Sequence, residues 1–117
     1  MYLDELREYC LSKKGTSEGT PFGPETLVFK VMNKIFAITS IDEYEFVNLK
    51  CDPEYAAELR ERYVGIKPGW HMNKQHWNSV FTNGTVPENL FKELVDLSYD
   101  LIVRSLPKKV QKEWEEL

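Results

Sequence analysis

Two histidines and two tryptophans lie within one twelve-residue stretch of the chain, GWHMNKQHWNSV at residues 69–80. Side chains of these types beside lysine and amides could form a metal site, a catalytic site or a surface that binds nucleic acid. His71 and His76 are five residues apart, with no Cys, Asp or Glu between them. That spacing puts them on opposite faces of a strand and away from a common face of a helix. We therefore predict no metal site in this stretch.

The two cysteines offer little support for catalysis. Cys10 and Cys51 form no CxxC pair, and we expect both thiols to be reduced, with Cys51 buried on the inward face of a strand. Nothing in the sequence around either one indicates an activated thiolate or an orienting third group. Neither GxGxxG nor GxxxxGK[ST] occurs, so no nucleotide-binding loop is predicted. We expect a protein without catalysis and without a cofactor.

The same stretch is typical of a surface that contacts nucleic acid. Trp70, beside Lys67, Lys74 and His71, could stack on single-stranded bases or wedge into a minor groove, and Asn73 could bind phosphate or base edges. No acidic residue lies between Glu61 and Glu88, although the net charge of the chain is −4. This distribution predicts a basic, aromatic face on an acidic body. Binding to DNA through such a face should be weak and strongly dependent on salt.

Each of these residues also has a purely structural interpretation. A Trp in a small domain usually fills core volume, and Trp77 is expected to do so. Trp70 follows Pro68-Gly69 and is expected to be more exposed. The lysines could simply flank strands and helix ends. One contiguous lysine face would favour nucleic acid, whereas scattered lysines with a bare apolar patch would favour a protein partner.

Length and composition limit the class of protein. A chain of 117 residues with 42% hydrophobic and 29% charged residues is typical of one globular domain. No segment approaches the roughly 20 apolar residues of a membrane span. The N-terminal sequence MYLDELREYC is charged and lacks the pattern of a signal peptide. We expect a cytoplasmic monomer that does not associate with membranes.

Local patterns in the first half predict a helix followed by strands. Apolar side chains recur at helical spacing over residues 2–14, and the Gly- and Pro-rich segment 15–25 is expected to be a loop. Three runs rich in β-branched and aromatic residues then predict antiparallel strands, the first two joined as a hairpin: LVFKVM (27–32), KIFAITS (34–40) and EFVNLK (45–50).

The middle of the chain predicts a second helix and another strand. Asp52 is expected to be the N-cap of the helix, with Pro53 at its first position. The helix should end near Gly65. HWNSVFT (76–82), which overlaps the end of the histidine-containing stretch, predicts a strand. The turn-forming pair Asn83-Gly84 should end this strand.

The C-terminal third predicts two helices. Thr85 and Glu88 have the spacing of a capping box, and the apolar stripe that follows predicts the longest helix, which Pro107 interrupts. The predicted fold is α+β, with a small antiparallel sheet of about four to five strands packed against helices in the order α-β-β-β-α-β(-β)-α-α.

Four segments together resemble the MmcQ/YjbR family of small bacterial proteins. They are PGWHMNKQHWNSV, SYDLIVRSLPKK, TPFGPETLVFKVMNKIFAI and VNLKCDPEYAAELR, and the similarity covers nearly the whole chain. The resemblance implies an α+β fold related to the bacterial frataxin-like (CyaY-like) sandwich. It also implies grouping with double-wing DNA-binding domains. It supplies no catalytic residues.

The resemblance also indicates which residues matter. Trp77, Ser98 and Tyr99 match the family's motifs. Each also has a structural interpretation, in which Trp77 would lock the sheet to the long helix and Ser98 and Tyr99 would cap a buried hydrogen-bond network. Binding to DNA is the leading interpretation, with a protein-interaction module and a small-molecule sensor with a Trp-lined pocket as alternatives. The residues expected to contact nucleic acid are Lys34, Lys50, Lys67, Trp70, His71, Asn73, Lys74, His76, Lys108 and Lys109.

Overall fold

The computed structural model describes residues 1–117 as four helices and one six-stranded antiparallel sheet. The α+β class and the predicted order of elements are confirmed. In chain order the elements are α1 (Leu3–Leu11), β1 (Thr16–Gly19), β2 (Thr26–Val31), β3 (Lys34–Ser40), β4 (Phe46–Lys50), α2 (Pro53–Arg62), β5 (Ile66–Pro68), β6 (Trp77–Phe81), α3 (Glu88–Ser105) and α4 (Lys108–Glu115).

The strands lie side by side in the order β1-β2-β3-β4-β6-β5, so the sheet is open at both edges. Helix α3 packs across β2, β3 and β4 on one face. The predicted hairpin forms, but its turn residues are Met32 and Asn33, both with positive φ, because Lys34 already pairs with Val31. Two successive positive φ angles are typical of the type I′ turn, whose twist matches that of the strands.

The prediction that segment 15–25 is a loop is wrong at its start. Thr16–Gly19 forms β1, which pairs with β2 in antiparallel register. None of its residues is buried and its burial does not alternate, because it is an edge strand with only one partner. It also contains no apolar side chain that would reveal a strand in the sequence.

Helix α2 begins as predicted, whereas α3 does not. The Asp52 carboxylate accepts a hydrogen bond from the Tyr55 N–H. The capping box predicted for α3 is wrong, because Thr85 Oγ1 instead donates to Asn83 Oδ1 at 2.7 Å. Pro87 occupies the N-cap with extended backbone angles, so the helix begins at Glu88.

The hydrophobic core lies between the sheet and the helices. It contains 22 buried residues. Eight positions of α3 are buried, and for this reason the apolar stripe of α3 could be recognised in the sequence. Ser98 is the polar exception on this helix. Its hydroxyl donates to the Phe36 carbonyl at 2.6 Å and accepts from the Lys50 N–H at 2.8 Å. The predicted role of Ser98 in a buried hydrogen-bond network is confirmed.

Candidate ligand-binding site on the open face of the sheet

The face of the sheet that α3 does not cover is concave and contains a pocket of about 900 Å³. Its floor is formed by outward side chains of β2, β3 and β4. Alternation explains their direction, since Phe29, Val31 and Leu49 point into the core and Lys30 and Lys50 point the other way. The pocket volume is within the roughly 300–1,000 Å³ that small-molecule sites occupy.

The wall of this pocket combines positive charge with aromatic rings. Its lysines are Lys30, Lys34 and Lys50, and its aromatic residues are Phe22, Phe46, Trp70, His71 and Trp77. No Asp or Glu lines it. On a chain with a net charge of −4, such a wall is a local positive region that an anion would enter.

The loop that follows β5 forms one side of the pocket, and a closed set of hydrogen bonds holds it there. The Trp70 N–H donates to Ser79 Oγ at 3.0 Å, and the Ser79 hydroxyl donates to Asn48 Oδ1 at 2.5 Å. Asn48 Nδ2 then donates back to the Trp70 carbonyl at 3.0 Å. Asn48 and Ser79 are buried and directly paired across β4 and β6. The backbone of Trp70 is therefore held in place, although the residue as a whole is 62% exposed.

Backbone constraints at Gly69 and His71 set the path of this loop. A side chain at Gly69 would place its Cβ 2.8 Å from Trp77 Cβ, so only glycine fits without movement. His71 has a φ of 58°, a left-handed conformation that side chains other than glycine seldom adopt. Its ring contacts that of Trp70 edge to face, with centroids 4.8 Å apart. The geometry presents both rings at the pocket.

Next to Lys50 the pairing between β3 and β4 is interrupted. Their pairing ends at Ala37 and Leu49. Beyond this point the Ser98 hydroxyl bridges the Phe36 carbonyl and the Lys50 N–H, which would otherwise bond to each other. Ile102 of α3 also lines the pocket. A serine from the helix thus widens the sheet next to Lys50.

The structure brings four of the ten predicted site residues to this pocket: Lys34, Lys50, Trp70 and His71. The Lys34 ammonium donates to Ser105 Oγ at 2.8 Å, so it is partly engaged. Lys67 pairs with Ser79, which puts its side chain on the same face of the sheet but outside the pocket.

The other predicted residues have local roles or lie elsewhere. The Lys74 ammonium donates to the Gly69 carbonyl at 2.9 Å, inside the loop. Asn73 Oδ1 accepts from the backbone N–H groups of Gln75 and His76 and shapes the turn. His76 has an exposed side chain. Lys108 and Lys109 are exposed on the first turn of α4, and neither lines the pocket.

Sequence reasoning missed Lys30 and misplaced Trp77. Trp77 is partly exposed, lines the pocket and lies outside the hydrophobic core, so its predicted core position is wrong. The reason is the register between β4 and β6. Trp77 pairs with Lys50, and because paired residues point to the same face of a sheet, Trp77 lies on the open face with Lys50. Lys30 interrupts the apolar run LVFKVM. Because it lies between the inward-pointing Phe29 and Val31, the sequence already indicated that its side chain points to the open face of the sheet.

The cysteines, the acids and the helices offer no second site of obvious chemistry. Cys10 and Cys51 are free and buried, and burial raises the pKa of Cys10 to about 12 and that of Cys51 to about 11. No group of three or more His, Cys, Asp or Glu side chains is arranged to hold a metal ion. None of the helices has the length and apolar character needed to cross a bilayer.

Comparison with known proteins identifies relatives over nearly the whole chain. The family model YjbR matches residues 11–101. The uncharacterized protein YjbR of Escherichia coli (strain K12) is 33% identical over 113 residues, which are 96% of this chain and 96% of that protein. The uncharacterized protein YbdF of Escherichia coli O157:H7 is 44% identical over 93 residues, 79% of this chain and 76% of that protein.

Solved structures agree with the sequence relatives. The crystal structure of Deinococcus radiodurans protein DR2400, with the domain DUF419, superposes with a TM-score of 0.89 at 40% identity and covers 97% of this chain and 87% of its own. A crystal structure of a Pseudomonas syringae protein has a TM-score of 0.75 at 28% identity. The resemblance in the sequence motifs is thereby confirmed, and the chain belongs to the YjbR family of bacterial proteins.

Proposed function

We propose that the protein binds nucleic acid without catalysis, and that it does so through unpaired nucleotides in the concave pocket. The observation that carries this proposal is the composition of the wall, which has three lysines, five aromatic residues and no acid on a net-acidic chain. Proteins that bind single strands combine a positive groove with aromatic side chains on which bases stack.

The shape of the surface favours single strands over duplex. The lysines lie on the floor and wall of a concavity rather than on a ridge, and Trp70 rises at its rim. Bases paired inside a duplex present no free ring face to Trp70. An unpaired base can enter and stack, an interaction worth about 1–3 kcal/mol per base.

The expected affinity is modest, because few lysines are free to contact phosphate. The protein's three ion pairs include neither Lys30 nor Lys50. On single strands each neutralised phosphate contributes about −0.7 to the slope of log K against log salt. Two or three contacts therefore predict a slope of about −1.5 to −2 and micromolar binding at low salt.

The test compares pocket lysines with lysines elsewhere on the same chain. Binding of a fluorescent oligothymidylate and of a duplex of the same length is measured at two salt concentrations. We expect the single strand to bind more tightly, and Lys30→Gln/Lys50→Gln to weaken it and flatten the salt slope by about 1.4. Lys108→Gln/Lys109→Gln removes the same charge outside the pocket and should leave the slope nearly unchanged.

Two outcomes would overturn the proposal. If the wild-type protein binds neither nucleic acid at low salt, the pocket does not serve this purpose. If Lys108→Gln/Lys109→Gln weakens binding as much as the pocket variant, the contact surface lies elsewhere.

A small-molecule ligand is the second candidate, and the closeness of acidic residues favours it. Glu43 and Glu45 border a smaller depression of about 480 Å³ that shares Ser40, Phe46 and Trp70 with the pocket. A long polyanion that continued past Trp70 would meet these two carboxylates. A short ligand would not.

A further inference from the structure

The two ends of the pocket differ in chemistry, and the strand register defines them. Lys30 in β2 and Lys50 in β4 flank β3 at nearly the same level, near the β2–β3 turn. Two regular strand spacings amount to about 10 Å, and the gap at Ser98 makes the separation of their Cα atoms larger than this. Both side chains point to the open face, so their ammonium groups can reach one anionic group between them.

The opposite end of the pocket is aromatic and bordered by acids. Phe46 begins β4, four residues before Lys50, and Thr26 and Ser40 face each other beside it. Glu43 and Glu45 lie just beyond, in the depression that shares Phe46. This end therefore attracts an uncharged ring and repels a second phosphate.

The distance between the two ends suits one nucleotide. Four residues of extended strand from Phe46 to Lys50 span about 13 Å. Asn48, midway between Phe46 and Lys50, holds the Trp70 carbonyl, and His71 follows Trp70 in the lining of the pocket. A ligand that satisfies both ends has one compact anionic group and one planar ring.

The charge at the basic end matches a phosphomonoester better than a phosphodiester. A monoester carries about −1.5 to −2 at neutral pH and offers three terminal oxygens. A diester within a strand carries a single negative charge. Lys30 and Lys50 have no carboxylate partner, whereas the Lys34 ammonium is hydrogen-bonded to Ser105 of α3.

We infer that the pocket recognises a nucleotide that bears a terminal phosphomonoester, with the phosphate between Lys30 and Lys50 and the base toward Phe46 and Trp70. The inference rests on the proposed function, because both place the ligand in the same pocket. The phosphomonoester can belong to the end of a nucleic acid strand or to a free mononucleotide, and both present the same chemistry.

The experiment varies only the terminal phosphate. A short oligothymidylate with a 3′ fluorophore is titrated as the 5′-phosphate and as the 5′-hydroxyl form, and thymidine monophosphate, thymidine and inorganic phosphate serve as competitors. We expect the 5′-phosphate to tighten binding about fivefold or more, as charge-assisted contacts to two lysines should. Thymidine monophosphate should compete far better than thymidine or inorganic phosphate.

Two variants separate the ends of the site. Lys30→Gln/Lys50→Gln should reduce the preference for the 5′-phosphate to less than about twofold. Phe46→Ala should weaken both oligonucleotides equally and leave the preference intact, because it touches only the base end. Lys108→Gln/Lys109→Gln is the matched control for charge, and thermal melts verify that each variant is folded.

The outcomes distinguish this inference from the proposed function. Equal binding of the two oligonucleotides overturns the inference and leaves the proposed function standing. Binding of thymidine monophosphate, measured directly by isothermal titration calorimetry, with no binding of either oligonucleotide supports the inference, with the free nucleotide as ligand, and overturns nucleic-acid binding. No binding of oligonucleotide or mononucleotide overturns both.

Discussion

The two faces of one sheet use the same strands in opposite ways. On the face toward α3, Phe36 is fully buried and packs edge to face against Tyr99, with centroids 5.4 Å apart. On the open face, Phe46 is only partly buried and borders the pocket. Successive side chains of a strand point to opposite faces of the sheet. Residues that pack in the core and residues that line the pocket therefore alternate along the same strand. Stability is thus concentrated on one face, and the other is free to present charge.

Polar groups show the same division of roles. Ser98 lies within the packed face and replaces a backbone hydrogen bond that β3 and β4 do not make. Asn48 and Ser79 lie on the open face and hold the loop that carries Trp70. The first network opens the lysine end of the pocket, and the second builds its rim. Both faces therefore contribute to the shape of the site.

The largest expected difference between the faces is in stability. Phe36→Ala should lower the free energy of unfolding by about 3–5 kcal/mol, because it removes a buried ring from a packed core. Phe46→Ala removes the same atoms from a partly exposed position and should cost clearly less, about 1–2 kcal/mol. Urea midpoints of the two variants measure this. Equal midpoints would contradict the division between the faces.

A smaller loss is expected when the bridge between β3 and β4 is removed. Ser98→Ala leaves the buried Phe36 carbonyl and Lys50 N–H without their partner and should cost about 1–3 kcal/mol. Ser105→Ala is the control on the same helix, at an exposed position, and should change stability by less than about 0.5 kcal/mol. Urea unfolding of both variants provides the comparison. If Ser98→Ala does not change the free energy of unfolding, the Phe36 carbonyl and the Lys50 N–H form a hydrogen bond with each other in the variant.

The buried thiols predict a loss of stability at alkaline pH. Burial raises the pKa of Cys10 from 9.0 to about 12 and that of Cys51 from 9.0 to about 11. Above pH 9 the unfolded chain releases these protons and the folded one keeps them, so stability is full below pH 9 and falls as pH rises toward the folded values. Each thiol should cost about 1.4 kcal/mol per pH unit in that range.

Urea unfolding at several values between pH 8 and pH 10.5 checks this dependence. The variant Cys10→Ala/Cys51→Ala should be less stable at pH 8, because small cavities remain, but its stability should fall less steeply with pH. If the stability of this variant falls with pH as steeply as that of the wild type, groups other than the two thiols cause the loss of stability at alkaline pH.

The smallest difference concerns the two tryptophans of the open face. Trp77→Ala should lower the free energy of unfolding by about 1–2 kcal/mol, since the ring is partly buried beside Lys50. Trp70→Ala should cost less than about 0.5 kcal/mol, because its fixed part is the backbone and its ring is exposed. Urea midpoints give the order. Fluorescence quenching by acrylamide should fall when Trp70 is removed, and a greater loss of stability at Trp70 would reverse the assignment.

Local signals predicted most of the elements. Asp52 and Pro53 marked the start of α2, Pro107 marked the break between α3 and α4, and the hairpin of β2 and β3 followed from its β-rich runs. The failures have physical causes. β1 is held by its partner strand rather than by its own side chains, and Thr85 bonds to Asn83 rather than to the helix that follows.

The site was predicted only in part. Lysine and aromatic residue types indicated an anion-binding surface, and Lys34, Lys50, Trp70 and His71 do line one pocket. Lys74 carried the same signal, yet its ammonium is used within its own loop. Residue type is visible in a sequence, whereas the partner that engages a side chain is not.

The amino-acid sequence was sufficient for the α+β class, for the order of elements apart from β1 and for the types of residue at the candidate surface, because periodicity, caps and turns act over a few residues. The pocket depended on tertiary contacts. Ser79 reaches Asn48 across 31 positions, and Ser98 reaches Phe36 across 62. Only folding places β2, β3, β4 and β6 side by side and holds Trp70 at the open face of β4 and β6, because a local stretch of sequence does not reveal which distant segment it will contact.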